Sequence, residues 1–166
     1  MEIWDLYDDN RNIIGEHIRG EKLPDDGYHL VVHAWIKNSN NEFLISRRAV
    51  NRPTFPLMYE CVGGSVIKGE SSLTGAIREI KEEIGLDLAE CDGKLLFSKV
   101  RKIINGVKFN DILDVWLFNY NGEINLHNAI TDEVDFANWL SLKEIQELYK
   151  QNKLVPTLEY IFDIKI

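Results

Sequence analysis

The segment Ser72–Ile84 constrains this chain more than any other. Leu73, Ala76, Ile77, Ile80 and Ile84 fall within about 100° of arc on a 3.6-residue wheel, so the sequence predicts a helix with one face buried. Gly85 follows where a left-handed cap is favoured. Such a helix needs an apolar surface to lie on, and the flanking segments supply strands. Glu2–Ile18 predicts a hairpin within roughly the first 20 residues, turning near Asp8-Asp9-Asn10. Gly20–Gly27 reads as a loop. Tyr28–Lys37 and Glu42–Arg48 predict two strands joined across Asn38–Asn41, and Pro53 and Pro56 mark another loop. Lys94–Ile104 and Ile112–Tyr120 predict strands around Asn105-Gly106. Ser141–Tyr149 and Thr157–Phe162 predict helices, the first opened by a Ser141/Glu144 capping box. This order predicts an α/β (α+β) fold, a mixed sheet flanked by helices, in one domain spanning 1–166.

The same helix carries Glu79, Glu82 and Glu83 at i, i+3 and i+4, which the wheel places together on the side away from the apolar stripe. Like charges so spaced cost a helix about 0.2–0.5 kcal/mol per pair, and the last turn is where the helix dipole disfavours anions. A solvated acidic face is one explanation, with Arg78 compensating Glu82 across one turn. A site for a hard divalent cation is the other, because such ions take carboxylate oxygens. Gly63-Gly64 and Gly69-Glu70 bring flexible backbone to the N-terminal side of the same helix.

The chain has 19 basic and 27 acidic residues, a net charge of −8, which argues against binding long nucleic acid and leaves a small phosphorylated metabolite as a partner. Cys61 and Cys91 show no metal-ligand spacing, so the expectation is a reducing cytoplasm. No signal-like start and no apolar run of about 20 residues predict an association with a membrane.

Gly64–Leu86 matches the pattern G-x5-E-x7-R-E-U-x-E-E-x-G-U, with U aliphatic, at Gly64, Glu70, Arg78, Glu79, Ile80, Glu82, Glu83, Gly85 and Leu86. On these positions the chain resembles the Nudix hydrolases. The resemblance implies an α/β/α sandwich in which residues 64–86 form a loop–helix–loop. It implies Mg²⁺, with Mn²⁺ as a substitute, held by Glu79, Glu82 and Glu83 and by the Gly64 carbonyl. Arg78 and Glu70 would orient that cluster through a salt bridge. The reaction implied is attack of water on a phosphorus of a diphosphate linkage. The general base differs among members. Beyond the box glutamates, Glu133 is the later acid expected to fill that role here, a solvated loop acid being its ordinary alternative. Arg48, and less so Arg47, would meet substrate phosphates, because alternation sends the two to opposite faces. Homodimers are common in the family.

Trp4-Asp5 and Gly27–His33 are similar to a narrower branch, close to the type I isopentenyl-diphosphate isomerases, which use a cysteine near the box. Gly63 stands at that cysteine's position and Cys61 lies two residues away. Isomerase activity, or a non-catalytic nucleotide sensor, are therefore the alternatives to hydrolysis. His29 and His33 share one strand face, with packing as the expected role, as it is for Trp35, Trp116, Trp139 and Tyr28. Family subgroups for ADP-ribose and dinucleoside polyphosphates carry a proline or a tyrosine beyond the box. Here Arg101–Ile104 occupies that region, which argues against those two preferences and leaves a nucleoside di- or triphosphate, or a sugar or prenyl-type diphosphate, open.

Overall fold

The computed structural model describes residues 1–104 and 106–166. The expected elements appear in the expected order, but Tyr59–Glu60, Val62–Ser65 and Val134–Ser141 are strands that the sequence reading does not predict. Strands β1 (Ile3–Tyr7) and β2 (Ile13–Ile18) form the N-terminal hairpin. Asp8 shapes its turn, its carboxylate accepting from the backbone N–H groups of Asn10 and Asn12.

Strands β3 (His29–Lys37) and β4 (Glu42–Arg48) leave the turn Asn38–Asn41 as a pair, but among the described residues their register holds a single pair, Lys37 with Phe43. Beyond it the two strands splay apart. The wedge is filled by one stretch of chain, β5 (Tyr59–Glu60) pairing with β4 and β6 (Val62–Ser65) pairing with β3. In this way Gly63 and Gly64 come to lie against the N-terminal half of β3, opposite His33 and Val32. On the other side β3 runs parallel to β8 (Val107–Asn119), which pairs antiparallel with β7 (Gly93–Ile104). Strand β9 (Val134–Ser141) pairs with the outer side of β4. The sheet is mixed, as expected.

Alternation divides the core in two. Leu30, Val32, Ala34 and Ile36 of β3 face helix α1 (Ser72–Ile84), packing on Ala76, Ile80 and Ile84. Trp35, with Ile45, Leu113 and Val115, faces helix α2 (Leu142–Lys150) and the C-terminal segment, packing on Ile145, Leu158 and Ile161. One helix layer therefore lies on each face of the sheet.

Two expectations are corrected. Strand β8 begins at Val107, five residues before the predicted Ile112, because Val107 and Lys108 already pair with Ile104 and Ile103. Val107–Asn110 alternates, but adjacent polar Asn110 and Asp111 break the phase before Ile112, and Asn110 has a φ of 50°, so a pattern reading starts the strand late. Gly106 has φ of 79°, and Asn105, the other half of the expected turn, lies outside the described residues. The last predicted helix is a 3₁₀ segment, Pro156–Phe162, with proline at its first turn. The Ser141/Glu144 capping box is present at α2.

Helix α1 has the predicted bounds. Ser71 caps its start by accepting from the Thr74 N–H, and Gly85 closes it at φ 78°, donating to the Lys81 carbonyl. A Cβ at Gly85 would stand 2.5 Å from the Asn128 carbonyl carbon. Gly85→Ala is therefore expected to lower unfolding free energy by about 1–3 kcal/mol, the cost of a non-glycine residue in strained backbone. Urea denaturation measures it, and an unchanged midpoint would show that the cap contributes nothing.

Candidate active site

Arg78 organises the loop before α1 and the acids on it. Its Nε donates to Glu70 Oε1 at 3.0 Å, and Nη2 donates to the Ser65 carbonyl at 2.9 Å and to Glu70 Oε2 at 3.2 Å. Its Nη1 lies between two helix acids, 2.8 Å from Glu79 Oε1 and 3.0 Å from Glu82 Oε2. Burial opposes the guanidinium charge, but bonding to Glu70 and Glu79 overcomes it and raises the Arg78 pKa. The wheel's placement of the three acids on the solvent side needs correcting. Glu83 is only 5% exposed and belongs to the buried face of α1, because the cluster sits where the helix edge meets β6.

That burial sets the protonation of the cluster. Glu79 is pushed from 4.5 up to about 7, chiefly by burial, with Arg78 opposing and the Glu82 and Glu133 charges adding to the rise. Glu83 is raised well above the usual carboxylate range by burial and by Glu60, Glu79 and Glu133. Its Oε2 has no hydrogen-bond partner among the described residues. Buried carboxylates that repel each other call for either protons or a cation. Hard oxygen donors and an orphaned Oε2 fit a divalent ion such as Mg²⁺. A Cβ at Gly64 would run into the Glu79 carboxylate, so only glycine lets that strand backbone lie against the cluster. Among the described residues no three such groups already converge as a finished metal cage, and Arg78 holds Glu79 and Glu82.

Glu133 reaches this cluster through backbone. The Ile130 and Thr131 N–H groups both donate to the Glu82 carbonyl, anchoring the loop before β9 to the end of α1. The Glu133 carbonyl accepts from the Ala49 N–H, and its carboxylate pairs with Arg52 at 2.7 Å.

The acids line one compartment, about 260 Å³, of a cleft that continues past β6 into a second compartment of about 340 Å³. Gly63, Gly64, Ser65, Arg19 and Arg52 border both. The two glycines face opposite ways. Where Gly64 faces Glu79, a Cβ at Gly63 would stand 2.7 Å from the Val32 carbonyl oxygen and 3.1 Å from the His33 ring. The position of the isomerase cysteine thus has little room for any side chain. Cys61 is 2% exposed among core residues, its thiol pKa raised by burial and by Glu60 and Glu83.

The two candidate arginines separate. Arg48 lines the second compartment with its guanidinium engaged, donating to Glu60 Oε1 at 2.6 Å and to the Thr54 carbonyl at 2.8 Å. Arg47 pairs with Asp135, stacks over Phe136 and borders neither compartment. Arg52 and Arg19 carry no pattern in the sequence, and only the meeting of the hairpin, the loop after β4 and β6 brings them to the cleft. His29 stacks on Trp4 with ring centroids 4.3 Å apart, and His33 bonds the Tyr160 hydroxyl at 2.7 Å. Burial lowers both imidazole pKa values, that of His33 to about 3. Trp35 and Tyr28 are core residues.

A mixed sheet with a glycine–glutamate loop–helix–loop on one face defines a recognisable class of protein. The family model described as NUDIX domain matches residues 27–161, and this chain belongs to the Nudix family. It is 31% identical over 169 residues to an uncharacterised Nudix hydrolase of Listeria innocua, covering 99% of this chain and 96% of that one. A crystal structure from Deinococcus radiodurans superposes with a TM-score of 0.73 at 19% identity, covering 93% of this chain and 92% of the other. A bifunctional NMN adenylyltransferase/ADP-ribose pyrophosphatase from Francisella tularensis, complexed with AMP and a manganese ion, superposes at 0.51 and 20% identity, covering 75% of this chain and 42% of that one. The family generally uses divalent metals such as Mg²⁺ or Mn²⁺ and acts on small phosphorylated substrates. No helix among the described residues is long and apolar enough to cross a membrane.

The raised Glu79 pKa has a stability consequence. The folded chain keeps a proton that the unfolded chain releases near 4.5, so stability falls as pH rises through that value towards about 7. The melting temperature of metal-free protein is expected to drop between about pH 5 and pH 8, and Mg²⁺ to restore more at the alkaline end. Glu79→Gln should flatten the slope. An unchanged slope in that variant would mean that Glu79 does not hold the proton.

Proposed function

We propose that this protein hydrolyses the diphosphate linkage of a nucleoside diphosphate joined to another moiety, or of a nucleoside di- or triphosphate. The reading rests above all on the buried acid cluster, where Glu83 Oε2 has no partner among the described residues, beside a cleft rimmed by Arg19 and Arg52. An acidic protein that recruits cations to this one cleft is suited to an anionic substrate. The AMP and manganese of the Francisella fold neighbour are in keeping with this reading.

Glu79, Glu82 and Glu83, with the Gly64 carbonyl, would hold Mg²⁺ or Mn²⁺. Such an ion supplies charge neutralisation at phosphate oxygens and a lowered pKa for water. The remaining roles fall to the chain itself. Arg78 and Glu70 tie the helix acids to the loop, which limits how far Glu79 and Glu82 must turn to receive the ion. Arg52 reaches both compartments and is placed to contact bridging or terminal phosphate oxygens. Glu133 is the base of this proposal. It takes a proton from the attacking water as the new phosphorus–oxygen bond forms, and the bridging oxygen leaves with its phosphoryl or nucleotidyl group. Arg52 pairs with Glu133 in the free protein, and a phosphate drawing Arg52 away would release that carboxylate.

A panel of nucleotide, sugar-nucleotide and prenyl diphosphates with Mg²⁺ or Mn²⁺, scored for phosphate or pyrophosphate release, tests the class of reaction. Glu83→Gln is expected to lose at least about 100-fold in kcat on the best substrate, and wild-type turnover would refute the acid-cluster assignment. Glu133→Gln should lower kcat by about 10²–10⁴-fold with KM little changed. If kcat survives, the base is another residue.

A further inference from the structure

Glu83 Oε2 is one of three buried side-chain atoms without a partner among the described residues, and the other two, Arg101 Nη1 and His29 Nδ1, belong to residues lining the second compartment. Arg101 and Asp111 form a pair buried between β7 and β8, with side chains 7% and 3% exposed. Nε donates to Asp111 Oδ1 and Nη2 to Oδ2, each at 2.7 Å. A guanidinium is planar, so this two-pronged contact turns Nη1 away from the carboxylate. The outcome is a fixed donor with no acceptor, a costly state for a buried polar group.

We propose that Arg101 is a specificity-determining residue, whose Nη1 donates to a neutral acceptor, a carbonyl oxygen or ring nitrogen, on a planar heterocycle attached beyond the phosphates. This deepens the hydrolase reading and rests on it for the orientation of the substrate. Asp111 already balances the Arg101 charge, which suits a neutral acceptor better than a phosphate. Phosphates are better served by Arg19 and Arg52, which border the acid compartment as well. The walls also fit a flat ring. The Arg101 guanidinium lies 5.2 Å from the Phe109 ring centroid, and Phe55, 40% exposed, lines the same compartment. The register pairs His29 with Asp111, so the second orphaned nitrogen stands at the same level of the sheet. An isoprenoid chain would leave Nη1 unpaired, and the site discriminates against it for that reason.

The test uses full-length protein and product-like probes, so that binding is read independently of turnover. Calorimetry with the four common nucleoside 5′-monophosphates and with ribose 5-phosphate measures what the base adds. At least one monophosphate is expected to bind about 10-fold or more tightly than ribose 5-phosphate. Arg101→Lys keeps the charge beside Asp111 but removes the fork, and should weaken that monophosphate by about 10- to 100-fold while ribose 5-phosphate is unaffected. Because the pair is buried, the double variant Arg101→Met with Asp111→Leu, which leaves no lone charge, is measured beside it and should lose the same preference. No preference in the wild type, a preference that survives both variants, or equal weakening of ribose 5-phosphate would overturn the proposal. A wild type that shows the base preference but hydrolyses no diphosphate supports this subsite and defeats only the hydrolase reading.

Discussion

The guanidinium of Arg78 is the constraint on which the candidate site depends. It joins three pieces of chain that sequence keeps apart: the end of β6 through Ser65, the following loop through Glu70, and the helix acids Glu79 and Glu82. Three carboxylates and a carbonyl around one cation form a network in which each bond fixes the geometry of the next. Without the arginine, a cluster of like charges at the end of a helix would be driven apart into solvent. With it, the helix keeps acids at its buried edge that folding alone would reject.

Helix α1 was legible in the sequence because an apolar stripe at helical spacing runs up to Gly85, a residue suited to the left-handed cap, and the helix keeps these bounds although the spacing of its acids opposes it. Four strands of the central sheet, β3, β4, β7 and β8, were legible from their apolar runs, whereas β5, β6 and β9 were not, since the first two are short and one of them holds Gly63-Gly64. What the sequence hid was everything that depends on chains meeting at long range. Glu83 reads as a solvated acid on a wheel, because a wheel knows nothing of β6 packing on that edge of the helix. Arg48 reads as a free phosphate clamp, yet Thr54 and Glu60, on a loop and a strand that return beside it, absorb its donors. Arg19 and Arg52 have no periodic or motif signal at all. Their place at the cleft follows from how the N-terminal hairpin and the loop after β4 close around β6.

The splay between β3 and β4 explains why the cleft exists. Two strands that stayed paired would leave a closed sheet edge and no place for chain to enter. Their separation after Lys37–Phe43 admits Tyr59–Ser65, and that insertion carries Gly63-Gly64 to the border between the two compartments. The buried Arg101–Asp111 pair then ties β7 to β8 next to the opening.

The paired glycines of β6 have a consequence for how such a protein diversifies. Gly64 faces an acid centre built by α1, and Gly63 faces a chamber built by β3, β8 and the C-terminal 3₁₀ segment. The acid cluster and the second compartment thus lie on opposite sides of β6, divided by a wall a single backbone thick. Under the proposed roles, substitutions confined to the chamber would change which molecule is welcomed without touching Glu79, Glu82 or Glu83. Such a division would let one catalytic device be inherited intact while its clientele drifts, with the diglycine, Ser65, Arg19 and Arg52 as the shared border that both sides must leave alone.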